Sequence, residues 1–298
     1  MRPRPLLAVL ALVAATPVRA EPPTPEVALT FAWPAALDAR FELHRVRRQP
    51  GQPERSVEGR FTGRFEGRAA GKELRLGYRD MEGAEAAGLD GATRALLRSL
   101  ERITAVIDGD GGLVRLEGMD RAVELMGGMV ADLPESTRGE LMRIAPAAMQ
   151  KDFSETWSML VAFWSGGSLE PGATYELKAD APVAVLPGER IRMETRYSLR
   201  RVLDCPGAKG RRCVELWFRS APEPKDVERI SRAMFEKLKV GGATAGMGPP
   251  SVIAEAVLIT EPDRLVPHRL EVTRSTKVAT PDGTVHERVD SSTWTYRY

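Results

Sequence analysis

Between Glu189 and Arg219 apolar and charged residues alternate in a way that admits one local structure. Ile191, Met193, Tyr197 and Leu199 fall on one side of an extended chain, and Arg192, Glu194, Arg196 and Arg200 on the other. A period of two belongs to a strand that is packed on one face and wetted on the other. The return segment repeats it, with Val214, Leu216 and Phe218 against Glu215, Trp217 and Arg219. The two cysteines of the chain, Cys205 and Cys213, stand at the facing ends of the loop Pro206–Arg212. The pattern therefore predicts a long β-hairpin whose tip is crossed by a disulfide in an oxidising compartment. Closing so short a loop contributes only about 2–3 kcal/mol, so the expected role of the bond is to hold the tip and its register. The spacing is not the C-x-x-C of a redox-active pair.

The rest of the chain reads as strands, then helices, then strands. Val27, Leu29, Phe31 and Trp33 alternate, and Arg40–Arg48, Ser56–Gly67 and Glu73–Tyr78 continue the β pattern, with a turn at Gln49–Pro53. Ile103–Ile107 and Leu113–Leu116 bracket Asp108-Gly109-Asp110-Gly111-Gly112. That run opens like a calcium loop but lacks the later ligands and the closing Glu, so a hairpin turn is expected. From Met119 the period changes to that of a helix. Val123, Met126 and Val130 predict an amphipathic helix strained at Gly127-Gly128, and Glu135–Ile144 a second one. Met149, Phe153, Trp157, Leu160, Val161 and Trp164 share one face of a third, with Pro146 in its first turn and Gly166-Gly167 ending it.

From Thr174 the chain returns to strands, interrupted by a helix-spaced insertion at 224–250. It finishes with Val252–Ile259, His268–Val278 and Thr284–Arg297, the last two joined at Asp282-Gly283. The fold class expected is α+β: a single domain over 27–298 in which a curved antiparallel sheet, a half-barrel, wraps a central helical block.

Residues 1–20 carry Arg2 and Arg4, an apolar run from Leu6 to Ala15, and Val18 and Ala20 at the places a signal peptidase reads. A cleaved signal peptide after Ala20, a Pro-rich tether over 21–26 and a periplasmic or secreted location are expected. No later stretch is long and apolar enough to span a bilayer. Without residues 1–20 the chain holds 40 basic against 41 acidic side chains, which removes a general electrostatic case for nucleic acid. Most residues of the local clusters Arg45, Arg47, Arg48, then Arg200, Arg201, and Arg211, Arg212 are expected on solvated strand faces. The chain contains no asparagine and hence no N-glycosylation site.

Motifs for chemistry are few. His44, His268 and His286 lie in predicted strands without zinc spacing, and are expected at the surface or across paired strands, where the last two could approach each other. Ser165 and Ser168 fall in a helix-ending loop, and no glycine run has both the strand before it and the helix after it that a phosphate loop needs. No catalytic residue, cofactor or metal ligand is expected.

The hairpin Ile107–Leu116 running into Met119–Trp164, together with the strands from Ile191 onward, resembles the layout of the LolA/LppX-like half-barrel proteins of the cell envelope. That resemblance is topological. It implies a sheet folded round helices to enclose an apolar cavity, although the 224–250 insertion and the disulfide depart from the simplest carrier pattern. The expected function is binding of a lipid or other apolar small molecule, with Phe153, Trp157, Trp164, Met193 and Tyr197 as contacts. Two alternatives are a structural or interaction module of the envelope with a fully packed core and an envelope protein as partner, and an unrecognised hydrolase.

Overall fold

The computed structural model describes residues 25–49, 57–84, 101–129, 131–132, 134–183, 186, 188–238, 250–280 and 283–298. The expected signal peptide, most of the tether, the turn at 50–53, the glycine-rich run 241–249 and Asp282 lie outside them. In chain order the elements are β1 (Val27–Ala28), β2 (Ala36–Arg48), β3 (Val57–Ala70), β4 (Glu73–Ala84), β5 (Thr104–Ile107) and β6 (Leu113–Glu117). Then come α1 (Met119–Met129), α2 (Glu135–Trp157), a π-helical turn (Ser158–Ala162), β7 (Ser168–Leu169), β8 (Thr174–Pro182), β9 (Arg190–Asp204) and β10 (Arg212–Pro222). The chain ends with α3 (Pro224–Leu238), β11 (Ser251–Thr260), β12 (Pro267–Ala279) and β13 (Val285–Arg297).

Eleven strands form one antiparallel, curved and unclosed sheet in the order β6-β5-β4-β3-β2-β13-β12-β11-β10-β9-β8. Strands preceding the helices and strands following them make two runs, joined where β2 pairs with β13. The predicted hairpin is β9–β10, in register from Cys213↔Leu203 to Pro222↔Met193 with a bulge at Glu215/Leu216. It lies near one edge of the sheet rather than at its centre.

One face of the sheet is apolar over half its length. Leu37, Ala39 and Phe41 of β2, Phe65 of β3, Leu76 of β4, Leu216 of β10, Leu258 of β11 and Leu270 of β12 are all buried on it. Along β3 this face reads Gly59, Phe61, Gly63, Phe65, Gly67. At Gly63 a Cβ would sit 2.7 Å from the Phe41 ring, so only glycine lets that ring lie across the strand.

The apolar half is covered by Leu29 and by the segment from Phe153 to Trp164, in which Trp157, Met159, Leu160, Val161 and Trp164 are buried. Helix α2 is continuous from Glu135 and carries Pro146 in its interior, where two separate helices with Pro146 in a first turn were expected. The missing proline N–H removes one backbone hydrogen bond. The alanines on either side of it are the best helix formers and carry the helix through. Gly127 and Gly128 likewise sit inside α1. Gly166 ends the run at φ 76° and donates its N–H to the Leu29 carbonyl. The expected wrapping of a helical block thus narrows to contact carried mainly by the end of α2 and the π turn, whereas α1 packs on α2.

The turn between β5 and β6 is the tight hairpin turn expected there. Asp108 Oδ1 accepts the N–H groups of Asp110 and Gly112 at 3.0 and 2.7 Å, and Gly111 takes φ 88°.

Candidate functional site

Two aromatic groups fill the space between the sheet and its cover. In the first, the Trp157 ring meets Trp33 at 5.4 Å and Phe31 at 6.3 Å, both edge-on, and Trp33 meets Phe65 at 5.7 Å. In the second, Tyr197 stacks on Tyr175 at 5.4 Å and receives Phe163 edge-on at 5.0 Å. Edge-on and offset arrangements are those that ring quadrupoles favour. The polar atoms are satisfied within the protein: Trp157 Nε1 donates to the Gly111 carbonyl, Trp164 Nε1 to Met159 and Trp33 Nε1 to Leu265, at 2.8–2.9 Å.

The five residues expected to touch an apolar ligand therefore divide. Trp157 and Trp164, each 2 % exposed, are core residues. Phe153 is half-buried one turn before Trp157. Tyr197 and Met193, also half-buried, lie on the inner face of β9. The structure brings Tyr197 against Trp164, with ring centres 6.3 Å apart. Met193 stands four residues further toward the start of β9, opposite Pro222.

Beyond Tyr197 the inner face carries the Thr195–Ser220 pair, with hydroxyls 3.0 Å apart, and then becomes apolar without full burial. Ile191 and Met193 on β9, Pro222 on β10 and Ala254 on β11 are half-buried, and Val252 is 37 % exposed. Register puts them side by side, since Met193 pairs with Pro222 and Ser220 with both Thr195 and Ala254. Helix α3 closes the start of β9. Asp226 accepts the Arg192 N–H at 2.7 Å, and Arg229 pairs with Glu189.

Across β12, β13 and β2 the same face changes character. Buried Leu270 and Val272 give way to Arg274, Tyr296 and Trp294 to Ser292, Asp290 and Arg288, and Phe41 and Leu43 to Arg45 and Arg47. Arg47 and Arg288 both donate to Asp290, at 2.6 and 2.7 Å, and Arg274 donates to Glu155 of α2 at 2.6 Å. Burial acts to raise the Asp290 pKa, but the hydrogen bonds from Arg47 and Arg288 outweigh it and hold the carboxyl below its ordinary value. Of these arginines, Arg45 and Arg47 are expected from the sequence on a solvated strand face. Counting by twos from Phe41 through Leu43 puts Arg45 and Arg47 on the inner one.

A second polar group is buried at the other end of β11 and β12. Glu261, 3 % exposed, accepts from Arg264 Nε at 2.8 Å and Arg211 at 3.1 Å, and lies 3.2 Å from His268 Nε2. Desolvation works to raise the Glu261 pKa, and the bonds from Arg264, His268 and Arg211 overcome it, so the carboxyl stays below its usual value. His268 is 2 % exposed rather than at the surface, because the short β11–β12 connection folds it against Glu261. His286 lies on β13, paired with Val278 at the far end of β12, so the two imidazoles are kept apart.

Cys205, Cys213 and His268 bring donor atoms within 4.8 Å of one another, but the two sulfurs are joined in a disulfide. Both nitrogens of His268 already face oxygens, those of Glu261 and Pro206. That leaves no ligand set for a metal in this arrangement. Ser165 and Ser168 are held by Asp110 and Glu26 in loop hydrogen bonds.

Two open hollows, of about 370 and 350 Å³, lie among charged side chains of β2 and β3, and neither touches the aromatic groups.

No protein-family model matches the chain, and no curated protein matches it. The expected resemblance to LolA/LppX-like proteins is thus without a family match. Among solved structures, lipovitellin, determined in a study of its lipid–protein interactions, is similar over 89 % of this chain at 7 % identity and a TM-score of 0.44. The chain spans about a quarter, 25 %, of that protein's length. A likeness of this size carries no argument about function.

Proposed function

We propose that the protein binds a lipid or other apolar molecule on the inner face of its sheet, in the manner of a half-barrel carrier, outside the cytoplasm. The observation that carries this reading is the incompletely covered apolar strip Ile191, Met193, Pro222, Ala254 and Val252, which the Thr195–Ser220 pair separates from the aromatic cover at Tyr197 and Phe163. Apolar area of this kind gains about 25 cal/mol for each Å² removed from water, so an acyl chain laid along it needs few polar contacts. Phe153 and Tyr197 border the seat, and Trp157 and Trp164 support it from the core. The Cys205–Cys213 disulfide fits an oxidising compartment.

A second reading is a structural or interaction module of the cell envelope with no ligand. It is favoured by the burial of Trp157 and Trp164 with their indole N–H groups satisfied.

The experiment combines solvent extraction of the purified protein, titration with an apolar fluorescent probe, and the variant Met193→Trp. Ligand binding predicts extractable lipid, probe uptake by the wild type, loss of uptake in the variant, and unfolding free energy changed by no more than about 0.5 kcal/mol. A packed module predicts no lipid and no uptake, and a destabilisation of about 1–3 kcal/mol from overfilling.

A further inference from the structure

The inner face holds an apolar strip and a cationic patch side by side, which is the arrangement an amphiphile requires. On β13 and β2 the patch comprises Arg45, Arg47 and Arg288, with Asp290 as the one acid between them. Arg274 on β12 faces the same way and is engaged by Glu155, which also meets Lys151 at 3.1 Å. Arg47 and Arg288 thus share one carboxylate, that of Asp290. Arg45 is exposed and, among the described residues, has no acidic partner. The neighbouring inner positions add no acid: Ala254 and Val252 flank the patch on β11, and Gly59 and Phe61 on β3. From Met193 on β9 to Arg288 on β13 is four strand steps, roughly 19 Å along the sheet at about 4.8 Å each.

We infer that Arg45, Arg47 and Arg288 bind the anionic group, carboxylate or phosphate, of an amphiphile whose apolar chain lies on the strip Ile191, Met193, Pro222, Ala254 and Val252. This rests on the apolar-ligand reading above and adds to it the chemistry of the polar end. Guanidinium groups suit the task because each offers parallel N–H donors to a carboxylate or phosphate and stays charged at any physiological pH. Asp290 bonds to both Arg47 and Arg288 and so holds the two guanidiniums to one side, while Arg45 adds the uncompensated charge. The Arg47 and Arg288 side chains keep 39 % and 45 % of their surface exposed, so an anion can reach them.

The test uses the purified full chain and two fluorescent probes of equal chain length, a fatty acid and its methyl ester. Titrations are repeated with Arg45→Gln and Arg45→Gln/Arg288→Gln, and with unlabelled lysophosphatidate or inorganic phosphate as competitor. The expected result is a fatty-acid Kd about tenfold tighter than that of the ester, the ratio that 1.4 kcal/mol gives. In the double variant that ratio collapses toward one. Displacement by lysophosphatidate but not by inorganic phosphate at equal concentration identifies the anion as one carried by a chain.

Equal binding of both probes by the wild type, or a ratio unchanged in the double variant, overturns the inference while leaving the apolar-ligand reading standing. Binding of neither probe overturns both. Displacement by inorganic phosphate alone shows a free-anion site and overturns the amphiphile. Because Arg45 has no acidic partner among the described residues, its single variant should unfold with the wild type, which separates lost binding from lost structure.

Discussion

The indole N–H of Trp157, at the end of α2, donates to the carbonyl of Gly111 in the β5–β6 turn at 2.8 Å, tying the helical cover to the sheet's outermost hairpin. Gly111 is equally constrained from its other side, because a Cβ there would lie 2.9 Å from the Phe31 ring. Replacement of Trp157 by Phe keeps an aromatic ring but leaves a buried carbonyl unpaired and a void beside Trp33. The expected cost is about 2–4 kcal/mol, combining a lost buried hydrogen bond with a small cavity. Equilibrium urea unfolding measures it, and a change under about 0.5 kcal/mol would mean that the cover is not anchored there.

Glu261 makes stability depend on acid. Its folded pKa lies below the ordinary value of 4.5, so the carboxylate contributes stability that is complete above about pH 4.5 and lost as pH falls through the lower folded value. Glu261→Gln keeps the shape but removes the charge that Arg211, Arg264 and His268 share. At pH 7 the variant should be less stable by about 1–3 kcal/mol. Between pH 5 and 3 the wild type should descend toward it. Parallel stability–pH curves for the two proteins would refute the assignment.

The disulfide sets the loop from which Arg211 and the Pro206 carbonyl reach that buried pair. Cys205→Ala/Cys213→Ala should lower unfolding free energy by about 2–3 kcal/mol through loop entropy. It should also flatten the pH dependence assigned to Glu261, because Arg211 is no longer held 3.1 Å away. Reduction of the wild type with a dithiol should reproduce both effects in the same denaturation assay.

The sheet was legible wherever one strand's own alternation decided it: Ile191 to Leu199 and Val214 to Phe218 face inward as their period requires. What a single strand cannot show is where its neighbours stop being apolar. Arg45 and Arg47 read as wet positions, and only the pairing of β12 with β13 and of β13 with β2 gathers them on one surface with Arg274 and Arg288. Periodicity placed Phe153, Trp157 and Trp164 on a common helical face, but it carries no measure of cover. The two tryptophans proved to be core, whereas Phe153, one turn earlier, is half-buried. His268 was misjudged because its burial comes from a tight connection that brings Glu261 back against it, a contact without a sequence signature. Pro146 suggested a helix start, yet helix formers on both sides of it outweigh one missing donor.

The eleven strands leave β6 and β8 as two ends that never meet. A barrel's bore is fixed by the number and stagger of its strands, but a sheet with free margins can tighten or relax its bend while every ladder bond stays in place. Occupants of different girth could then be gripped by a change of curvature alone, and a covalent staple between the two margins would confine the protein to guests of a single width.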